Sequence, residues 1–200
     1  RDLEAILLSN QIKDAGSAAE ARTLGGIQTW LNTNGDFGSA GVAGSLGSTA
    51  RTDSTEAERT FTEDMLKTVV KEVYEAGGDP SILMVTPAHK QTVSAFSGIA
   101  AQRYMAPGDQ PTTIIGAADV YMSDFGTISV VPNRFMISGN SADDVALVLD
   151  PEYLEVAYFR NFSTNDLAVA GDQAAKQQLV TECTLAVLNE GASGIVADLS

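Results

Sequence analysis

Residues 60–96, TFTEDMLKTVVKEVYEAGGDPSILMVTPAHKQTVSAF, contain the clearest secondary-structure pattern in the chain. Thr62 is a favourable N-cap residue, acidic residues occupy the turn after it, and Gly77 and Gly78 followed by Pro80 end the pattern. Apolar side chains recur at i, i+3, i+4, i+7 and i+8 between these signals, so the stretch predicts a helix with one buried face. That face consists of Leu66, Val69, Val70, Val73 and Tyr74.

A strand and a second helix are predicted directly after this helix. The apolar run Ile82–Val85 is typical of a short buried strand, and Thr86 followed by Pro87 is typical of a helix N-terminus. Strand patterns dominate further along: two short runs flank residues 124–126, and the stretches VALVLD, YLEVAYFR and KQQLVTECTLAV follow, with a last strand after the turn at residues 191–194. Helices early and strands late predict an α+β fold.

The first 59 residues show weaker patterns. Leu3, Ile6 and Leu7 fall on one helical face, which predicts the end of a helix, and residues 17–24 predict one or two further helical turns. Glycine, serine, alanine and threonine dominate residues 35–59, and a tract of this composition loses much conformational entropy when it becomes ordered. We therefore expect a flexible connection over residues 35–59.

The composition is that of a globular protein with a strong negative charge. The chain has 200 residues, 44% of them hydrophobic, and a formal net charge of -14. Proteins that neutralise nucleic-acid phosphates need clustered Lys and Arg, so this charge disfavours a nucleic-acid-binding class. The single cysteine, Cys183, excludes an internal disulfide and a cysteine zinc site. No apolar run approaches the roughly 20 residues of a membrane helix, so we expect no membrane association.

The usual catalytic motifs are absent. The sequence contains no GxSxG, no phosphate loop, no GxGxxG and no HExxH. His89 is the only histidine, and without an identifiable orienting partner we interpret it as structural or exposed. Cys183 lies on the predicted buried face of a strand without basic neighbours, so we interpret it as a small core residue. We expect no catalytic residue, no cofactor and no metal ligand.

The charged stretches identify neither a metal site nor a specific ligand. Asp143 and Asp144 match no calcium-binding loop, so a solvated turn is expected there. The mixed-charge residues 51–59 are interpreted as a solvated approach to the predicted helix. Arg160 lies among aromatic residues in YFRNF, where a guanidinium could pair with a neighbouring carboxylate or stack on a ring.

Six stretches, in this order, resemble the major capsid (major head) proteins of tailed bacteriophages with the Hong Kong 97-type fold. They are RDLEAILLSNQ, ARTLGGIQTWLNTN, FTEDMLKTVVKEVYEAGGDPSILMVTPAHKQTVSAFSG, DFGTISVVPNRFM, LVLDPEYLEVAYFR and LVTECTLAVLNEGASGIVADL. The resemblance covers nearly the whole chain. None of the stretches is a catalytic motif, so the specificity comes from their joint order.

The resemblance implies a particular domain organisation. Residues 1–34 are expected to form the end of a spine helix and a peripheral-domain segment, and residues 35–59 the flexible connection. Residues 60–136 would form an axial domain of helices around a small sheet, and residues 137–200 the long β-strands of the peripheral domain. The N-terminal arm and extended loop that the family normally carries ahead of the spine helix are expected to be absent from this chain.

The resemblance also implies a structural, non-enzymatic function. Such subunits assemble with themselves into hexamers and pentamers of an icosahedral shell that encloses DNA without sequence-specific binding. Scaffolding, protease, portal and decoration proteins are expected partners, with the virion as location and the host bacterial cytoplasm as the place of assembly. We interpret Trp30, beside Gly25 and Gly26, as a packing anchor where the spine helix ends. The candidate interface or packing residues are Trp30, Glu56, Arg59 and Arg160.

Two other classes stay open at this point. One is a hydrolase or processing enzyme with an unrecognised site, for which His89 and Cys183 would be the residues to substitute. The other is a phage adhesion or receptor-binding module. The predicted helix–strand–helix unit disfavours that module, because such modules are usually all-β.

Overall fold

The computed structural model describes residues 2–53, 58–96, 120–136, 144–167 and 176–200. These residues contain both helices and strands, which confirms the predicted α+β class. The helices are α1 (Asp2–Leu8), α2 (Glu63–Glu75) and α3 (Pro87–Ser94), with short 3-10 turns at Ile27–Thr29, Pro151–Tyr153 and Glu190–Ala192. The strands are β1 (Gly35–Asp36), β2 (Ile82–Val85), β3 (Val120–Ser123), β4 (Gly126–Pro132), β5 (Ala146–Leu149), β6 (Leu154–Leu167), β7 (Lys176–Val187) and β8 (Gly194–Val196).

Six of the strands form one mixed sheet in the order β1-β8-β5-β2-β4-β3. The pairs β2–β4 and β1–β8 are parallel, and the other neighbours are antiparallel. The two long strands β6 and β7 pair only with each other in this part of the chain and form a separate antiparallel ribbon. The described fold is therefore a compact sheet with a two-stranded extension.

Both faces of the six-stranded sheet are covered. On one face, the apolar side of α2 packs against Leu83 and Val148, and on the other, Leu147 packs with Leu8 and Ile27. Because neighbouring strand residues point to opposite faces, β5 is buried at every position. This two-sided burial explains why the VALVL run is continuously apolar rather than alternating.

The predicted helix over residues 62–75 is confirmed, including its cap. The Thr62 side chain accepts a hydrogen bond from the Met65 backbone N–H at 3.4 Å, and the buried side chains are Leu66, Val69, Val70 and Val73. Tyr74 was also predicted to be buried, and this is wrong: it is 52% exposed and stacks on Phe125 with ring centroids 4.8 Å apart. At 3.6 residues per turn Tyr74 lies about 80° around the axis from Leu66, at the edge of the apolar stripe.

The helical turns predicted for residues 17–24 are absent. Ser17 instead accepts hydrogen bonds from the backbone N–H groups of Ala19 and Glu20, and Gly16 has a positive φ of 73°. Serine side chains compete in this way with helical hydrogen bonds. The segment is closed by backbone hydrogen bonds in both directions between Asp14 and Thr23.

The glycine-rich residues 35–53 make regular contacts with the rest of the fold. β1 pairs with β8, and Val42 and Thr52 exchange two backbone hydrogen bonds of 3.0 and 2.9 Å. A Cβ atom at Gly44 would lie 2.7 Å from the Thr29 Cα, so this glycine permits close backbone approach. The flexibility predicted for residues 35–59 stays a prediction, but this part of the tract is packed.

The sheet crosses the boundary predicted between residues 136 and 137. β5 and β8, which were assigned to the peripheral strands, pair within the same sheet as β2 and β4. Only β6 and β7 lie outside that sheet among the described strands. The names and limits of the axial and peripheral domains therefore stay predictions. None of the helices in the described ranges is long and apolar enough to cross a membrane.

Candidate functional site

The ribbon β6–β7 exposes most of its residues. Its base is anchored because Leu154, Leu185 and Val187 pack in the apolar cluster around Leu147, on the face of the sheet opposite α2. We call this cluster the Leu147 cluster. Beyond that base almost every β6 residue is exposed, and Phe159 is 81% exposed. Monomeric soluble proteins rarely display clustered large apolar side chains without a use for them.

Arg160 lies in the middle of this exposed ribbon. Its Nε is 3.5 Å from Glu182 Oε2 on β7, and its guanidinium carbon is 5.8 Å from the centre of the Phe159 ring. The Arg160 side chain is 62% exposed, so these contacts leave most of the guanidinium accessible. Its role in a subunit interface stays a prediction.

Trp30 packs against the Leu147 cluster, directly after the 3-10 turn Ile27–Thr29. The Lys13 ammonium lies 4.2 Å from the indole centroid, and a Cβ atom at Gly47 would lie 2.8 Å from the ring. The indole Nε1 is buried without a hydrogen-bond partner in the described part of the chain. The ring therefore contributes through apolar and cation–π contact.

Arg59 is held by groups of its own chain. Its guanidinium donates to the Asp36 carboxylate at 2.7 Å and to the Ala197 carbonyl at 2.8 Å. Its backbone N–H donates to the Asp198 carbonyl. Arg59 thus ties β1 to the residues after β8. Its predicted part in an interface is not tested, and Glu56 lies outside the described residues.

Arg51 is the buried centre of a charge cluster that the sequence did not reveal. Arg51 is 3% exposed, and its Nη2 lies 2.7 Å from Asp53 and donates to both Asp144 oxygens at 3.1 Å. Its Nη1 donates to Asp198 at 3.3 Å, and its Nε to the Gln28 side-chain oxygen at 3.4 Å. We call these four ionic residues, Arg51, Asp53, Asp144 and Asp198, the Arg51 cluster.

The Arg51 cluster corrects two interpretations. Arg51 belongs to the stretch that we expected to be solvated, and Asp144 to the expected solvated turn, yet both are held in the cluster. Asp143 lies outside the described residues. Asp144 and Asp198 are separated from Arg51 by 93 and 147 positions along the chain, so no local pattern could have paired them with it. The available sequence signal was an arginine in an acidic chain, and this is too general to predict which carboxylates Arg51 would contact.

The three carboxylates of the Arg51 cluster have oxygen atoms within 4.8 Å of one another. Such a group could hold a cation, and the guanidinium of Arg51 supplies a positive charge among them. Burial raises the pKa of Asp144 to about 6, and the attraction of Arg51 opposes this rise. The cluster therefore contains a carboxyl group that takes up a proton under mildly acidic conditions.

The potential catalytic residues do not form an evident reactive centre in the described ranges. His89 is buried and meets the Phe61 ring edge-on, with centroids 6.0 Å apart. It lines a cavity together with Asp144, but the Asp144 carboxylate accepts two hydrogen bonds from Arg51. Cys183 is half-buried on β7, opposite Tyr158 in the strand register.

The described residues combine a mixed sheet with an exposed two-stranded ribbon, and comparison with protein families assigns the chain to the class of structural capsid subunits. The chain belongs to the SU10 major capsid protein family, whose model matches residues 1–200. This match confirms the resemblance to major capsid proteins and the prediction of a structural capsid subunit.

Comparisons with individual proteins add little detail. No curated protein matches the chain. Among solved structures, the chain is similar to the cryo-EM structure of the holo-SrpI encapsulin complex from Synechococcus elongatus, with 17% identity and a TM-score of 0.43. The similarity covers 70% of this chain and 50% of that one, so this chain matches about half the length of the encapsulin.

Replacing Trp30 by alanine should lower the free energy of unfolding by about 2–4 kcal/mol, because the Leu147 cluster loses contact with a large half-buried ring. Trp30→Phe should lose much less, since the indole N–H makes no hydrogen bond to the described residues. Urea unfolding followed by circular dichroism measures both. An unchanged unfolding midpoint for Trp30→Ala would show that the residue is not a packing anchor.

Replacing Arg51 by methionine should lower the free energy of unfolding by about 3–5 kcal/mol, because three clustered carboxylates lose the guanidinium at their centre. Arg134→Met removes the same charge from an exposed position and serves as the matched control. Chemical denaturation at neutral pH compares the two. Equal losses in both variants would contradict a specific role of the Arg51 cluster.

The pH dependence of stability should change in Asp144→Asn. Since the native pKa of Asp144 is raised above its unfolded value, the native state takes up the proton first as the pH falls through about 6. Relative to the variant, the wild type should gain about 1–2 kcal/mol between pH 7 and pH 4.5. Denaturation curves across this range test the sign. Asp166→Asn, on the exposed ribbon, controls for the loss of one negative charge.

Proposed function

We propose that copies of this chain assemble into the hexamers and pentamers of an icosahedral shell that encloses a bacteriophage genome. The match of the family model to residues 1–200 carries this proposal. The subunit would be located in the virion and assembled in the host bacterial cytoplasm. Scaffolding, protease, portal and decoration proteins are its proposed partners, and the proposal includes no catalytic activity.

The distribution of charge supports enclosure of DNA without tight binding. The chain has 26 acidic and 12 basic residues, and several basic groups are already paired inside the fold, among them Arg51 and Arg59. Affinity for the phosphate backbone requires free clustered cations, so packaged DNA should be repelled by most of the subunit. A shell of such acidic subunits would retain a genome by enclosing it and not by binding it tightly.

Expression of the complete gene product tests the proposal, alone and together with candidate scaffolding and protease proteins from the same genome. Electron microscopy should show closed particles of uniform diameter. A monodisperse monomer in every combination would contradict the proposal. If the isolated chain instead bound a host glycan or receptor without forming particles, the adhesion module would be favoured.

A further inference from the structure

Among the residues that the structure describes, most of the outer part of β6 is exposed rather than packed. An isolated two-stranded hairpin is at best marginally stable in water, and in the described part of the chain the ribbon joins the apolar core at its base. Beyond the base, β7 has exposed residues at its start, with Leu179 65% exposed. Contact with another surface would therefore stabilise the ribbon.

The aromatic residues of β6 are arranged for such contact. Tyr158, Phe159 and Phe162 are 49%, 81% and 55% exposed, and the rings of Tyr158 and Phe162 lie 6.2 Å apart. Two register shifts interrupt the strand pairing on either side of Arg160. Such irregularities redirect side chains, and exposed aromatic residues beside an arginine are typical of the residues that dominate binding energy at interfaces.

A groove lies between this part of the ribbon and the N-terminal segment. Its volume is about 1350 Å³, and its walls include the apolar residues Leu3 and Ile6 of α1. Three cations line the groove, Lys13, Arg22 and Arg160, against two carboxylates, Asp14 and Glu182. The groove thus has a slight positive excess on a chain whose net charge is -14.

We propose that this groove and the aromatic residues beside it bind an acidic surface of a second copy of the chain. The proposal rests on the proposed function, because a shell places copies side by side at high local concentration. Charge complementarity selects the partner, since a second copy carries a net charge of -14. Two grooves facing each other would oppose their cations, so the contact joins different surfaces. Contacts of this heterologous type form rings when the rotation between neighbouring copies closes, as a capsomer requires.

Two pairs of variants test the contact in the complete gene product. Phe159→Ser and Arg160→Glu should each reduce the yield of closed particles at least tenfold. Phe125→Ser and Arg134→Glu change the same residue types on a different exposed surface and should assemble as the wild type does. Normal particles from the two groove variants, or equal losses in the control variants, would overturn the proposal. Absence of particles from the wild type would instead contradict the proposed function.

Photo-crosslinking identifies what binds the groove, and its result does not depend on whether the substituted variants fold. Benzoyl-phenylalanine at position 159 should crosslink, in assembled particles, to an acidic peptide of a second copy that lies outside the ribbon. Peptide mapping by mass spectrometry reads the site. A crosslink to the same ribbon of another copy, to DNA or to a different protein would overturn the proposal, as would no crosslink.

Discussion

The ion pairs of Arg51 hold together parts of the chain that are far apart in sequence. The guanidinium bonds to residues at positions 28, 144 and 198, and the Arg51 backbone exchanges two hydrogen bonds of 2.6 Å with the Asn10 side chain. The Gln28 side chain then donates to the Leu8 carbonyl at the end of α1. The N-terminal helix, the glycine-rich tract and the residues flanking the sheet thus share one polar network.

This network also holds the glycine-rich tract in place. The second oxygen of Asp198 accepts a hydrogen bond from the Gly38 backbone N–H at 2.6 Å, and Asp198 itself has a positive φ of 56°. A non-glycine residue persists in that conformation only when its surroundings hold it. Since removal of one partner leaves buried charge uncompensated, the network favours one arrangement of these segments over looser alternatives.

The elements that depend on local signals were predictable, and those that depend on distant contacts were not. The cap at Thr62, the strand Ile82–Val85 and the proline-initiated α3 follow from residues within a few positions of each other. The Arg51 cluster and the pairing of β5 with β8 depend on contacts across the fold, which one sequence does not encode as a pattern. Of the predicted site residues, only Arg160 and Trp30 carried a local signal, namely their aromatic or glycine neighbours.

The negative net charge also limits which part of one copy can contact another copy. Copies with a net charge of -14 repel one another, so a stable contact needs an area where acidic groups are few or are opposed by cations. Pairing Arg51 and Arg59 with carboxylates inside the fold removes two cations from those available for this purpose. Arg160 is one that remains available, and it lies beside the most exposed aromatic ring. Under the proposed contact, the Arg160 side chain and the exposed aromatic rings beside it would oppose the negative charge of a second copy.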